Sequence, residues 1–391
     1  MTGAGARVPR FDPPAQGAVD LLVIAGEHSG DEHAARMIAG FRAARPGCRV
    51  AALGGPCLAD AGAQLLHDMT GTSVVGMGPV LRNYLSYFRP LMIETLRWIT
   101  EHRPAAVCFV DYPGMNLRIA SELRKRGLTV KGGGKIRALY YISPQIWAWK
   151  ARRRFSMARD LDSMAVIFPF EPACYADTDL PVSFVGHPFV DEAYRTPVAY
   201  DPKGPILLLP GSRPQAVRNI FPTLLQGYAE YLKAGADHES VVLYPSRDIL
   251  AVLRSFNPPS RVRLEPAGAP VAAAAVLTSS GTMSMHCALA GIPGAIVYRT
   301  DALTYLLARW LARVSYLGIA NLLLREPMYP EYIQGAATPA ALAAELSDCI
   351  SDPGRRQRTV EQAARLHAVL EQPASGTACD WLSRNVPALP Q

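Results

Sequence analysis

No uncharged apolar run in this sequence approaches the ~20 residues that a membrane-spanning helix requires, so a protein that crosses the bilayer by helices is not expected. The seven cysteines lie far apart, with no C-x-x-C pair and no spacing suited to a metal. That excludes a disulfide scaffold and a zinc ribbon, and it fits a reducing cytoplasm; no metal and no cofactor are expected. Neither G-x-G-x-x-G nor G-x-x-x-x-G-K-[ST] occurs, so a dinucleotide fingerprint and a Walker nucleotide site are both unsupported. The first twenty residues, rich in Gly, Pro and Ala, have no apolar core of the secretory type, so residues 1–19 are expected to form a loose arm. Acidic residues are the minority charge, 33 against 40 Lys plus Arg, for a formal net charge of +7. Such an excess admits nucleic acid, an anionic membrane surface or phosphorylated substrates.

Short buried-looking runs, each followed by a turn and a helical pattern, organise the rest of the 391 residues. Leu21–Ala25 leads into a Gly/Ser turn and a helix ending before Pro46. Ile206–Leu209 leads into Pro210-Gly211-Ser212 and a second helix. Further candidate strands are 50–53, 106–110, 138–142 and 165–168 in the first half, and 241–244, 275–278 and 295–298 in the second. This is the rhythm of βαβ units. The expected fold is α/β, with two Rossmann-like domains facing across a cleft. The first spans 20–190, the second spans 191–365, and a helical tail over 366–391 is able to pack back on the first. Pro, Gly and charge interrupt the periodicity at 191–205, where the join is placed. Ligands in such folds bind beyond the carboxyl ends of the strands, so the loops there are the candidate site.

Four of those loops carry chemistry. In "GEHSGDEH", Gly26 and Gly30 permit a tight turn, and Ser29 or Asp31 can cap the helix that follows, whose N–H groups favour anions. His28 and His33 are five apart, the wrong step for one helical face, and metal binding is not expected of them. In "FVDYPGMN", Asp111 stands at the end of an apolar strand, where a poorly solvated carboxylate can serve as a general base or simply shape a turn. In "LLPGSRPQAVRN", Gly211 and Ser212 open a helix and Arg213 can fork onto two phosphate oxygens. In "TSSGTMSMHCALAGIP", Ser280, Gly281 and Thr282 offer hydroxyl and N–H groups at another helix start, with a plain structural cap as the rival reading. Two anion-favouring turns without a metal cluster point to a diphosphate held by helix ends and arginine.

A different signal comes from two stretches that mix cations with aromatics. "VGMGPVLRNYLSYFRPLMIETLRWI" places Arg82 and Arg89 among apolar residues. "WAWKARRRF" gathers Trp147, Trp149, Lys150, Arg152 and Arg153. They can form a surface that meets lipid headgroups while admitting acyl chains, or an amphipathic helix with an ordinary solvated face. Nucleic acid is not expected as a partner, because the basic residues are local and accompanied by aliphatics.

Together "AGEHSGD", "YYISPQIWAWKARR", "FPFE", "VGHPFVD", "LLPGSR", "SSGT" and "YRTDALTYLLARWLARVSYLGIANLLL" resemble the lipid-A-disaccharide synthases, inverting glycosyltransferases of the GT-B type. The stretches occur in that family's order and cover most of residues 20 to 370. The resemblance implies transfer of 2,3-diacylglucosamine from UDP-2,3-diacylglucosamine to 2,3-diacylglucosamine 1-phosphate. The products are the β-1,6-linked disaccharide phosphate and UDP. It implies a cytoplasmic enzyme peripherally associated with the inner-membrane surface, and it admits a homodimer. Asp111 matches the family's essential aspartate and is the implied base. Gly26, Ser29 and Gly30 fall in a substrate turn, and Arg213, Gly211, Ser212 and Ser280–Thr282 are implied at the departing diphosphate. Asn321 and Gln334 match positions near the nucleotide or donor sugar.

The sequence also departs from the family pattern. Gly114 stands where a second aspartate is usual, and His286 stands where a glutamate usually holds the ribose hydroxyls, a nucleotide-binding place in which a histidine can still hydrogen-bond with altered strength and pH dependence. Ala216 or Val217 replaces an acidic residue after "LPGSR", "NLLLR" replaces an "NLLAG"-like stretch, and "EHAA" follows "SGD" in place of a glycine-rich helix entry. These changes keep two alternatives open: a GT-B enzyme for another UDP-sugar, and a weakened paralogue that binds lipid precursors.

Overall fold

The computed structural model describes residues 10–70, 87–190, 194–301, 315–372 and 374–387. The chain divides into two compact units, Met1–Pro188 with Gln372–Gln391, and Phe189–Glu371. The division thus falls close to the expected join near 191, and the chain leaves the second unit at 371 rather than 365.

The first unit is built on seven parallel strands: β1 (Leu21–Ala25), β2 (Val50–Gly54), β3 (Gln64–Asp68), β4 (Ala106–Val110), β5 (Arg137–Tyr141), β6 (Ser163–Val166) and β7 (Val182–Phe184). Their order in the sheet is β3-β2-β1-β4-β5-β6-β7. In β1, β2 and β4 every residue is buried, which is the signature of a parallel sheet covered on both faces. The covering helices are α1 (His28–Ala44), α2 (Pro56–Asp60), α3 (Arg89–His102), α4 (Pro113–Lys125) and α5 (Arg153–Asp160). Ile24, Phe109 and Tyr140 from the sheet join Leu96, Ile99 and Ile119 from the helices in one core.

The second unit repeats the plan. Its strands are β8 (Val198–Tyr200), β9 (Ile206–Leu209), β10 (Ser240–Tyr244), β11 (Val262–Pro266), β12 (Val271–Ala273), β13 (Ala275–Thr278), β14 (Gly294–Tyr298) and β15 (Glu331–Ile333). Six of them form a parallel sheet in the order β11-β10-β9-β13-β14-β15, and β8 pairs with β12 alone. The helices are α6 (Pro214–Lys233), α7 (Arg247–Arg254), α8 (Thr282–Leu289), α9 (Ile319–Leu324), α10 (Pro339–Ser351) and α11 (Pro353–Leu370). Because α11 continues to Leu370, the tail begins beyond residue 366. Its helix α12 (Ala378–Asn385) packs on α1 of the first unit. There Trp381 is buried and donates its Nε1–H to Ser163 Oγ at 2.9 Å, while Arg45 holds the carbonyls of Val386 and Ser383 at 2.8 and 2.7 Å.

The N-terminal arm requires a correction. Over its described part it is packed, not loose: Phe11 is buried, its N–H donates to Glu94, and Asp12 O accepts from Trp98 Nε1 at 2.9 Å. One aromatic residue, stacked on His67 of β3, together with the two hydrogen bonds to α3, outweighs the Gly/Pro composition around it.

Candidate functional site

In open parallel sheets the strand order reverses at one place, and the loops beyond the two strands there splay apart to leave a crevice. In the first unit that place lies between β1 and β4, which pair directly. The turn from Gly26 follows β1 and Asp111 follows β4. In the second unit it lies between β9 and β13, followed by Gly211–Arg213 and Ser280–Thr282. Each unit thus carries two of the four candidate loops, side by side at its own switch point.

Asp111 is half-buried and held in an unusual backbone conformation. Its φ is +44°, and that of Tyr112 is +48°, so two consecutive non-glycine residues are left-handed. Such residues are costly and persist only where their surroundings over-determine them. Asp111 N–H donates to Tyr141 O at 3.0 Å, and Asp111 O accepts from Tyr140 OH at 2.6 Å and from Asn116 Nδ2 at 2.8 Å. Across the switch point, Gly26 explains itself by space: a Cβ there would lie 2.4 Å from the Tyr112 ring.

The helix start at Gly26–Asp31 differs from expectation. The N-cap of α1 is Glu27, so Ser29 and Gly30 lie inside the first turn and Ser29 is not the cap. Asp31, 1% exposed, turns away to a different helix and accepts from Gly55 N (2.8 Å), Cys57 N (3.0 Å) and Leu58 N (3.2 Å) at the start of α2. A buried carboxylate needs several donors, and three unpaired amides at the neighbouring helix supply them. His28 is exposed and His33 is buried.

Trp147 is half-buried against Phe168 and Phe170, and its Nε1–H points to Glu171 Oε1 at 3.4 Å. Glu171, 2% exposed, also accepts from Phe168 N at 3.1 Å. Sequence reasoning gave it no role, although "FPFE" was part of the resemblance. Burial pushes its carboxyl up to about 8; its hydrogen bonds offset that in part, and the negative charge of Asp111 adds to it. The neutral acid is therefore the folded form at neutral pH. Its favourable share of stability is complete below the ordinary glutamate value and is lost as pH rises from there to about 8. Within that window each pH unit costs at most about 1.4 kcal/mol. Glu171→Gln, isosteric and uncharged, is accordingly expected to gain melting temperature over wild type as pH is raised from about 5 to 8.5. Thermal scans at both pH values check this, and a difference that does not change with pH would contradict it.

In the second unit, the β9 turn places Gly211 at φ +110°, a conformation that favours glycine. A Cβ there would meet Ser279 Oγ at 3.2 Å, and Ser279 N–H donates to Leu209 O at 2.8 Å, so the two turns are in contact. Arg213 is the exposed N-cap of α6, with Pro214 in the first turn. Gly281 is the N-cap of α8, and Ser284 Oγ both accepts from Gly281 N (3.3 Å) and donates to Gly281 O (2.6 Å). Ser212 and Thr282 are exposed and Ser280 half-buried. Two helix N-termini, each carrying about half a positive charge, therefore begin beside one another on a turn with an exposed arginine and exposed hydroxyls. That arrangement suits a diphosphate.

The remaining three residues of the expected nucleotide site each have partners within the second unit. His286 is 4% exposed, its ring centre 4.0 Å from that of Phe189 in a tilted contact and stacked on Tyr194, with Nε2 3.0 Å from Tyr194 OH, so its ring is not open to a ribose in this arrangement. Asn321 is fully buried; Nδ2 donates to Tyr329 O and Glu331 Oε1, and Oδ1 accepts from Tyr329 N. Gln334 clasps the Thr300 peptide, accepting from its N–H at 3.2 Å and donating to its O at 3.0 Å. Both amides fix the loops beyond β14 and around β15. A side-chain amide matches a peptide group as well as it matches a nucleotide, and sequence alone does not separate the two uses.

The cationic-aromatic patch survives in part. Trp149 is 43% exposed and Phe155 48%; Lys150 Nζ lies 4.3 Å from the centre of the Trp149 ring and the Arg153 guanidinium 5.8 Å from it. Arg152 and, on α3, Arg89 are exposed. Arg82 lies outside the described residues. Among the described residues no helix is long and apolar enough to cross a membrane, and no group of three His, Cys, Asp or Glu side chains could hold a metal.

Two α/β units, each built on a parallel sheet of this topology, with a C-terminal helix that returns to the first, define the GT-B fold. Solved structures agree on the fold. The glycotransferase of kitacinnamycin matches with a TM-score of 0.57 at 14% identity, over 96% of this chain and 100% of that one. The calicheamicin glycosyltransferase CalG4 gives 0.54 at 15%, over 95% and 98%. The profile of the lipid-A-disaccharide synthetase family matches residues 21–379. Lipid-A-disaccharide synthase 1 of Legionella pneumophila (strain Paris) is 32% identical, over 95% of this chain and 98% of its own. The lipid-A-disaccharide synthase of Anaeromyxobacter sp. (strain K) is 34% identical, over 91% and 94%. The chain belongs to the lipid-A-disaccharide synthetase family.

Proposed function

We propose that this glycosyltransferase moves 2,3-diacylglucosamine from its UDP derivative to the 6-hydroxyl of 2,3-diacylglucosamine 1-phosphate, forming the β-1,6 disaccharide phosphate and UDP. Asp111 takes the proton of the acceptor hydroxyl as that oxygen attacks the anomeric carbon. The bond from that carbon to the diphosphate breaks on the opposite face, which inverts the configuration. Gly211–Arg213 and Ser280–Thr282 hold the departing diphosphate and stabilise the charge that grows on it, work that N–H groups and a guanidinium perform without a metal. Gly26, Ser29 and Gly30 line the acceptor side of the first unit. The observation that most supports this reading is the placing of every one of these loops at a switch point. The single carboxylate candidate lies in one unit and the paired anion-favouring helix starts lie in the other. Purified protein supplied with acylated and with unacylated UDP-sugar tests it. Disaccharide from the acylated pair alone fits, and equal turnover of unacylated sugars overturns the lipid reading.

Both substrates are anionic lipids, and the exposed Trp149, Phe155, Lys150, Arg152 and Arg89, with the half-buried Arg153, give the first unit a surface on which to meet them at the inner membrane. A basic residue near an anionic bilayer contributes about 1 kcal/mol, so three act together at about 3 kcal/mol. The triple variant Lys150→Gln, Arg152→Gln, Arg153→Gln is expected to weaken sedimentation with anionic vesicles on the order of 100-fold, with thermal stability kept. Unchanged sedimentation would remove this patch from the membrane contact.

A further inference from the structure

The left-handed turn at Asp111 is fastened by two buried side chains that have no part in the chemistry proposed above. Tyr140 is fully buried within β5, and its hydroxyl donates to Asp111 O at 2.6 Å. Asn116, also fully buried, directs Nδ2 at three carbonyls: Asp111 O at 2.8 Å, and Val110 O and Ile24 O at 3.3 Å. Its Oδ1, by contrast, is buried and has no hydrogen-bond partner among the described residues. Leaving a buried carbonyl unpaired costs about 1–3 kcal/mol, so what holds an asparagine at this position is its donor end. Those donors reach the last residues of β1 and β4, the two strands of the switch point, and the peptide that sets the aspartate's conformation.

We infer that Asn116 and Tyr140 are positioning residues for transfer: they hold the Asp111 peptide left-handed and so keep its carboxylate where the acceptor hydroxyl is deprotonated. This rests on the reading of Asp111 as the base. Without the two donors, the φ of +44° keeps the Asp111 N–H bond to Tyr141 O but loses both bonds to its own carbonyl, and Asp111 relaxes toward the common right-handed or extended regions. Neither residue touches substrate; each acts through the backbone of another. A general base displaced by about 1 Å loses rate without losing the substrate.

Tyr140→Phe is the cleanest variant, because it removes one oxygen and leaves the ring's packing intact; Asn116→Ala is the second. Steady-state kcat and KM for both lipid substrates, UDP affinity and melting temperature are measured for each, alongside Asp111→Asn. Tyr140→Phe is expected to lower kcat about tenfold, with both KM values within about twofold, UDP affinity unchanged and melting temperature nearly so. Asn116→Ala is expected to lower kcat further and to lower melting temperature as well. A Tyr140→Phe enzyme with wild-type kcat overturns the inference, as does one whose kcat, KM and melting temperature all deteriorate together. If Asp111→Asn is inactive while Tyr140→Phe is fully active, only the positioning role fails. If Asp111→Asn itself turns over normally, the base assignment fails.

Discussion

Replacing Asp111 with asparagine is expected to lower kcat for disaccharide formation about 1,000-fold while leaving UDP affinity and melting temperature close to wild type. A general base typically contributes between about 100- and 10,000-fold. The upper half of that range applies where the carboxylate is partly desolvated and a conservative amide cannot accept the proton. The side chain is half-buried at the end of a fully buried strand, and the amide is nearly isosteric, so the turn should survive. Rates from single-turnover reactions with saturating acceptor separate the proton-transfer step from binding. A fall in affinity without a fall in rate would assign Asp111 to substrate holding.

The second large effect belongs to Arg213. It sits at the N-cap of α6, beside a glycine held at φ +110° and next to the start of α8. A guanidinium that forks onto two phosphate oxygens makes two charge-assisted bonds, and such bonds contribute about 1.5–3 kcal/mol each. Arg213→Ala is therefore expected to weaken UDP binding on the order of 100-fold. Arg213→Lys should recover only part of this, because an ammonium cannot reproduce the fork. Calorimetric titration with UDP reads both. Equal affinity in wild type and Arg213→Ala would remove this turn from the nucleotide site.

The strands that flank each switch point were legible because burial on both faces leaves an unbroken apolar run. Leu21–Ala25, Ala106–Val110, Ile206–Leu209 and Ala275–Thr278 carry the expected bounds. The edge strands were not legible. Gln64–Asp68, Val262–Pro266 and Glu331–Ile333 are half-exposed and mix polar with apolar residues, so their pairing is decided by neighbours far away in sequence. The same limit governs the site. Gly211 was legible because its turn demands a glycine, whereas the reason for Gly26, the Tyr112 ring against it, lies far along the chain. The engagement of His286 with Phe189 and Tyr194, of Asn321 with Tyr329 and Glu331, and of Gln334 with Thr300 depends on which polar group arrives first in three dimensions. Glu171 was hidden for the complementary reason: nothing local indicates that a glutamate four residues beyond Ile167 will be 2% exposed.

Attack opposite the departing diphosphate inverts the anomeric carbon, so the linkage formed tests the account more sharply than turnover alone. The purified enzyme is given UDP-2,3-diacylglucosamine and 2,3-diacylglucosamine 1-phosphate, and the anomeric proton of the product is read by NMR. A β-1,6 linkage, with one UDP released per disaccharide, is the predicted result. An α linkage, or UDP release without disaccharide, would contradict the assignment of one carboxylate base and a metal-free diphosphate cradle to this chain.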